Sequence, residues 1–234
     1  MLAKTRMRFS LDLNSSTPLS VYTIVDTLPI EPFIGVGIKR INSHQNHAGI
    51  VYREDGGEAQ FLDLRWHHQL HQGIAKNGYA FVLLNIHQLR IPAIVGYCRL
   101  LWEENENGCI PYGFKLPNEC FDSTTAKWLL GNSGLGLTCA TFILAVLHAQ
   151  RITIAKLDDW PERDADNVWR QSIISALRDN NAQKQANYLE SENSGVRFRP
   201  EEVAGSAAST IYPANFQTAI SLGGKILNIF DDMP

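Results

Sequence analysis

Gly131-Asn-Ser-Gly-Leu-Gly-Leu-Thr-Cys-Ala-Thr-Phe-Ile-Leu-Ala-Val-Leu-His148 changes its chemistry midway, and that change decides the fold. Gly131, Gly134 and Gly136 make a turn-prone approach that does not continue comfortably as helix or strand. The nearly unbroken apolar run 140–147 then reads as a helix buried on most of its faces. Between the two, Thr138 is a good N-cap residue and Cys139 falls in the first turn. A thiol placed there meets unpaired backbone N–H groups and the positive end of the helix dipole, and both favour the nucleophilic thiolate. The competing reading is a small core residue, the usual fate of a cysteine beside an apolar helix.

Working outward, 234 residues are enough to bury a large core, and 44% hydrophobic with 19% charged residues is a globular composition. No internal repeat, low-complexity tract or linker divides the chain, so one domain spanning 1–234 is expected, with a core at about 33–150 and a helical C-terminal part at about 156–234. A net charge of −3 without a Lys/Arg cluster gives no footprint for nucleic acid. Residues 1–10 are basic but lead into no apolar run, and nothing approaches the roughly 18 apolar residues of a membrane span. A cytoplasmic protein, or one exported without a classical signal, is expected. Cys98, Cys109, Cys120 and Cys139 show no C-x-x-C spacing, so free thiols in a reducing compartment are expected rather than zinc or disulfides.

Along the chain, residues 9–13 and 21–25 carry β-formers and suggest early strands, and residues 33–41 are a better strand candidate. Arg53-Glu-Asp-Gly-Gly-Glu58 is a turn signal that should join residues 47–52 and 59–64 as a hairpin. Residues 79–84 read as a strand, and Pro92 opens a helix to about residue 104. Residues 109–116 return to extended structure, 117–133 are polar, and 151–155 are short and β-like. Residues 164–177 form an amphipathic helix, 180–194 a solvated helix end plus loop, and Pro200 starts another helix. A last helix over 215–222 should stop at Gly223-Gly224.

A cysteine nucleophile needs a base, and the base an orienting partner. Among the seven histidines, His47 begins a strand directly after a polar turn, where a rigid strand can position its ring. Asp63 sits in the apolar run Phe61-Leu-Asp-Leu64 on the partner strand. Burying a carboxylate unpaired costs several kcal/mol, on the order of magnitude, so Asp63 asks for a partner, and His47 is the nearest logical one. Arg65 and Arg53 are competitors for it, in which case His67 would take the third role.

These segments resemble the NlpC-type, papain-like cysteine peptidases. His47-Ala-Gly-Ile-Val-Tyr52 and Phe61-Leu-Asp-Leu64 are similar to the family's H-x-G-I-Y strand and the polar-residue strand after it. Gly136-Leu-Thr-Cys139-Ala-Thr-Phe-Ile143 resembles its nucleophile helix, and Ile110-Pro-Tyr-Gly113 its Pro-Tyr segment. Standard members place the cysteine before the histidine. Here His47 precedes Cys139, an order similar to the circularly permuted branch of YiiX-like hydrolases and the lecithin:retinol acyltransferase group. The family's third residue is often histidine, so Asp63 is a departure. The resemblance covers about residues 33–150. It implies a permuted papain-like fold, an acyl-enzyme on Cys139, and Tyr112 near the oxyanion site.

Two rival readings are weaker. Gly131-x-x-Gly134-x-Gly136 before a helix suggests a phosphate cradle but lacks the G-K-[ST] ending. His44, His47, His67, His68 and His71 suggest a metal, but His68 replaces the glutamate of H-E-x-x-H; Trp66-His-His-Gln-Leu-His71 reads better as a polar helix start or loop. The expectation is therefore an α+β fold, an antiparallel sheet packed against the Cys139 helix. Its expected function is a cysteine hydrolase or acyltransferase acting on a peptide, acyl-lipid or acyl-protein, without metal or cofactor. His47 serves as base, Asp63 as orienter, and Cys139 N–H with Tyr112 and Thr138 line the oxyanion and substrate site. The alternative is a non-enzymatic binding or effector-interaction module with an inert cysteine.

Overall fold

Five consecutive antiparallel strands build the sheet that carries the site. The computed structural model describes residues 19–43, 45–192 and 195–231. β1 (Phe33–Asn42), β2 (Gln45–Arg53), β3 (Gln60–Trp66), β4 (Gln69–Ile74) and β5 (Ala80–Leu83) take the order β4-β3-β2-β1-β5. Gly56 in the β2–β3 turn has φ +67°, the conformation that its Asp-Gly-Gly signal called for. β1 and β2 pair with Lys39 opposite His47 and Gly37 opposite Gly49. The first of these pairs puts His47 near the β1–β2 turn, two residues into β2.

Alternation sends Ile34, Val36, Ile38, Ala48, Ile50, Leu62 and Leu64 into the main core. That face is covered by α1 (Ile91–Asn105), α2 (Cys139–Ala149) and α5 (Pro200–Ala207). α2 lies across β2 and β3, with residues 139–147 all buried. The opposite face holds a smaller cluster of Phe33, Val51, Phe61 and Phe81, covered in part by Leu28. α3 (Ala165–Asp179) and α4 (Gln183–Ser191) pack on each other and on Tyr112 and Phe114, and α6 (Phe216–Asp231) packs on α5.

Several sequence expectations change. Residues 9–13 lie outside the described residues. Residues 21–25 give only a bridge between Tyr22 and Phe81 before a 3-10 turn at Val25–Thr27. Residues 66–71 are neither helix nor loop: the chain turns at His67-His68, with His68 at φ 58°, and returns as β4. Residues 151–155 contribute a single bridge, Ala155 to Ala214. Residues 180–192 contain a helix of their own, α4, which buries Gln185, Ala186 and Leu189. Gly223-Gly224 does not end α6; a Cβ on Gly223 would lie 2.3 Å from the Glu201 carbonyl, so that glycine serves helix contact instead.

Candidate active site

Thr138 sets the start of α2 through a reciprocal cap. Its hydroxyl accepts from the Thr141 N–H at 3.1 Å, and Thr141 Oγ1 accepts from the Thr138 N–H at 2.7 Å. The Thr138 hydroxyl is therefore occupied in capping, which places Cys139, and Thr138 also borders the small cavity at the thiol. With Thr141 and Phe142 N–H satisfied by Thr138, no acceptor among the described residues meets the N–H groups of Cys139 and Ala140. Two donors and the positive helix end thus converge at the thiol.

Cys139 and His47 border one small cavity, and His47 Nε2 lies 2.8 Å from Asp63 Oδ2. An ionised carboxylate only accepts, so Nε2 carries a proton toward Asp63, and Nδ1 is the nitrogen available to exchange a proton with the thiol. Burial lowers the affinity of His47 for a proton, but its bond to Asp63 and the nearby Cys139 outweigh this and push its pKa up to about 9. Gly49 makes the arrangement possible: a Cβ there would meet Asp63 Cβ at 2.8 Å and the Phe61 ring at 2.7 Å. The glycine of the His-Ala-Gly strand is a space requirement.

Asp63 is 1% exposed and more heavily partnered than a simple triad member. Besides His47 it accepts from His71 Nδ1 at 3.0 Å and from Arg65 Nε at 3.1 Å. His71 stands directly opposite Asp63 in the β3–β4 register. Burial raises the Asp63 carboxyl, yet these partners, His47 first, hold it below the usual carboxylate range. The expected competition of an arginine for Asp63 resolves into sharing, with Arg65 as the arginine, while Arg53 lies over the Phe33 ring.

Tyr112 reaches Cys139 despite the long connection between them. Leu137 N–H donates to the Pro111 carbonyl at 3.0 Å and Gly113 N–H to the Leu137 carbonyl at 3.3 Å, so the two segments run side by side. A Cβ on Gly136 would sit 2.2 Å from the Pro111 carbonyl oxygen, and only glycine permits that approach. The Tyr112 backbone N–H donates to His67 Nδ1 at 3.1 Å, and its carbonyl accepts from Gln185 at 2.6 Å. His67 therefore takes no third role beside His47; burial pushes its pKa down to about 4, which keeps it neutral. Burial first, and the nearby Cys139 second, push the Tyr112 phenol up, so it stays protonated and can donate.

The thiol opens on a cavity of about 40 Å³ bordered by His47, Arg65, Tyr112, Ala140, Trp169 and Arg197. That space holds a water or a carbonyl group, since one water needs roughly 10–15 Å³, but not a ring-sized ligand. Sequence reasoning weighed Arg65 only as a competitor for Asp63 and His71 only as a metal ligand, and did not bring Trp169 or Arg197 to the site. Only His71 had a local signal, the alternation of Leu70 with its polar neighbours. The rival readings disperse. His67 and His71 serve Tyr112 and Asp63, and His44 lies outside the described residues. Gly131 and Gly134 are turn residues at φ 51° and 86°, with Gly134 against the Tyr188 ring. No helix of the described residues is long and apolar enough to cross a membrane. Compared with known protein families, curated proteins and solved structures, the chain matches none.

Proposed function

We propose that this chain is a cysteine hydrolase of amide, ester or thioester bonds, built on a permuted papain-like arrangement. The observation that carries the reading is Cys139 at a capped helix N-terminus sharing a small cavity with His47, which is bonded to buried Asp63. With the thiol proton already resting on His47 Nδ1, the Cys139 sulfur attacks the carbonyl carbon to form a C–S bond. The oxygen becomes an oxyanion held by the Cys139 and Ala140 N–H groups, with Tyr112 bordering the same cavity. Collapse breaks the bond to the amine, alcohol or thiol, which leaves with the proton from His47. Water, deprotonated by His47, then attacks the thioester carbon and releases the acid and the free thiol. An amine or alcohol in place of water makes the same site an acyltransferase.

The test is whether an activated ester leaves an acyl group on Cys139. Mass spectrometry of the quenched protein should find the adduct on the peptide containing Cys139, and Cys139→Ala should abolish both adduct and turnover. Iodoacetamide should alkylate Cys139 far faster than buried Cys98 and Cys120 at neutral pH. Equal, slow alkylation of all the cysteines with no acyl adduct would leave the binding-module reading in front.

A further inference from the structure

The face of the sheet opposite α2 is incompletely covered and holds a groove of about 1000 Å³, lined by Lys39, Phe61, Arg65, Ile74, Lys76 and Tyr79. The groove runs to the nucleophile: Gln45, His47 and Arg65 border both it and the small cavity at Cys139. Its charge opposes that of the chain. The whole sequence carries −3, yet Lys39, Arg65 and Lys76 line the groove against the single carboxylate of Asp63. Asp63 is already matched by His47, His71 and Arg65. Among the described residues neither Lys39 nor Lys76 has a carboxylate partner, and Lys39 instead stands 5.0 Å over the Tyr79 ring. The Cys139 cavity adds Arg197 and no carboxylate.

We infer that the groove is the substrate cleft and that it takes an acidic peptide, whose carboxylates meet Lys39, Lys76 and Arg65 while its scissile carbonyl reaches Cys139. The word substrate rests on the hydrolase reading; the binding does not. Unpaired cations concentrated along a cleft raise the local concentration of anions and orient them. A peptide is favoured over an anionic lipid headgroup because β4 is an edge strand, and its His71, Gly73 and Ile74 form one wall of the groove. An edge strand offers backbone N–H and C=O groups to an extended chain, and a lipid cannot use them.

The experiment measures binding on full-length Cys139→Ala, so that turnover plays no part. The probes are a short glutamate-rich peptide with a neutral dye, its glutamine counterpart, and phosphatidylserine vesicles. The glutamate peptide should bind about tenfold tighter than the glutamine peptide, and Lys39→Gln with Lys76→Gln should remove that preference. Equal binding of the two peptides, or a preference that survives the double substitution, overturns the inference. Binding of the vesicles with no binding of the glutamate peptide overturns it as well. Charge-dependent peptide binding beside a wild-type protein that forms no acyl-enzyme sinks the hydrolase reading and leaves the groove standing.

Discussion

At the scale of single residues, the site turns on one carboxylate shared by three donors, and its titration has a definite sign. His47 holds its proton to about pH 9 instead of the ordinary 6.5, so the stability it contributes is fully present below 6.5 and lost as pH rises through about 9. Asp63 is lowered from 3.8, so its contribution is present above 3.8 and lost as pH falls through its folded value. Thermal melts should therefore show a plateau between 3.8 and 6.5, and activity should have an alkaline limb near pH 9, where the imidazolium can no longer protonate a leaving group. Asp63→Asn removes the strongest support for that proton. The limb should move to lower pH and turnover should fall on the order of a hundredfold. An Asp63→Asn enzyme with unchanged limb and rate would mean that His47 is not the titrating base. His71→Gln, which leaves the Asp63–His47 contact in place, should shift the limb less.

At the scale of elements, the site is held by local devices of unequal legibility. Thr138→Ala removes the hydroxyl that caps α2 and should cost about 0.5–2 kcal/mol, whereas Thr138→Ser should keep most of it. Gly49→Ala should be worse for activity than for stability, because the new methyl meets Asp63 and Phe61, moving the carboxylate before it unfolds the strand. Denaturant titration beside the acyl-adduct assay checks both; a Gly49→Ala protein with full acylation would remove the space argument. These devices were readable in the sequence because they are local. A cap residue before an apolar run and an Asp-Gly-Gly turn between β-prone segments each announce themselves within a few residues. β4 was not readable, since its turn has no glycine and uses His68 at φ 58°, a conformation that histidine tolerates better than most residues. With β4 went His71, whose place is fixed by a strand register rather than by spacing. α4 was hidden by its polarity: its buried side is only Gln185, Ala186 and Leu189, and Gln185 is there to hold the Tyr112 and Gly134 carbonyls.

At the scale of the whole molecule, the C-terminal part reaches the site through a buried ion network that no local pattern discloses. Asp166 is 3% exposed and accepts from Arg163 at 2.9 Å, Arg197 at 3.0 Å and Arg199 at 2.8 Å. Glu202 adds a second carboxylate, bonded to Arg163 and to the Trp160 indole. Arg197, so held, stacks 3.7 Å over Trp169, and both side chains wall the Cys139 cavity. Asp166→Asn keeps the shape but removes the charge that three arginines share. Their partial exposure, 15–31% by side chain, lets them turn toward water, so the loss should fall near the lower end of the buried-pair range, about 3 kcal/mol. Breaking the exposed pair Arg178–Glu190 by Arg178→Ala sets the scale for comparison and should cost under about 1 kcal/mol. Because Arg197 also shapes the cavity, Asp166→Asn should slow acylation of Cys139 even at temperatures where the protein stays folded. Denaturation midpoints at constant slope, with acylation rates measured well below them, separate the two effects. Equal small costs for Asp166→Asn and Arg178→Ala, with acylation unchanged, would show that the network is ordinary surface charge and that the wall is held by Trp169 packing alone.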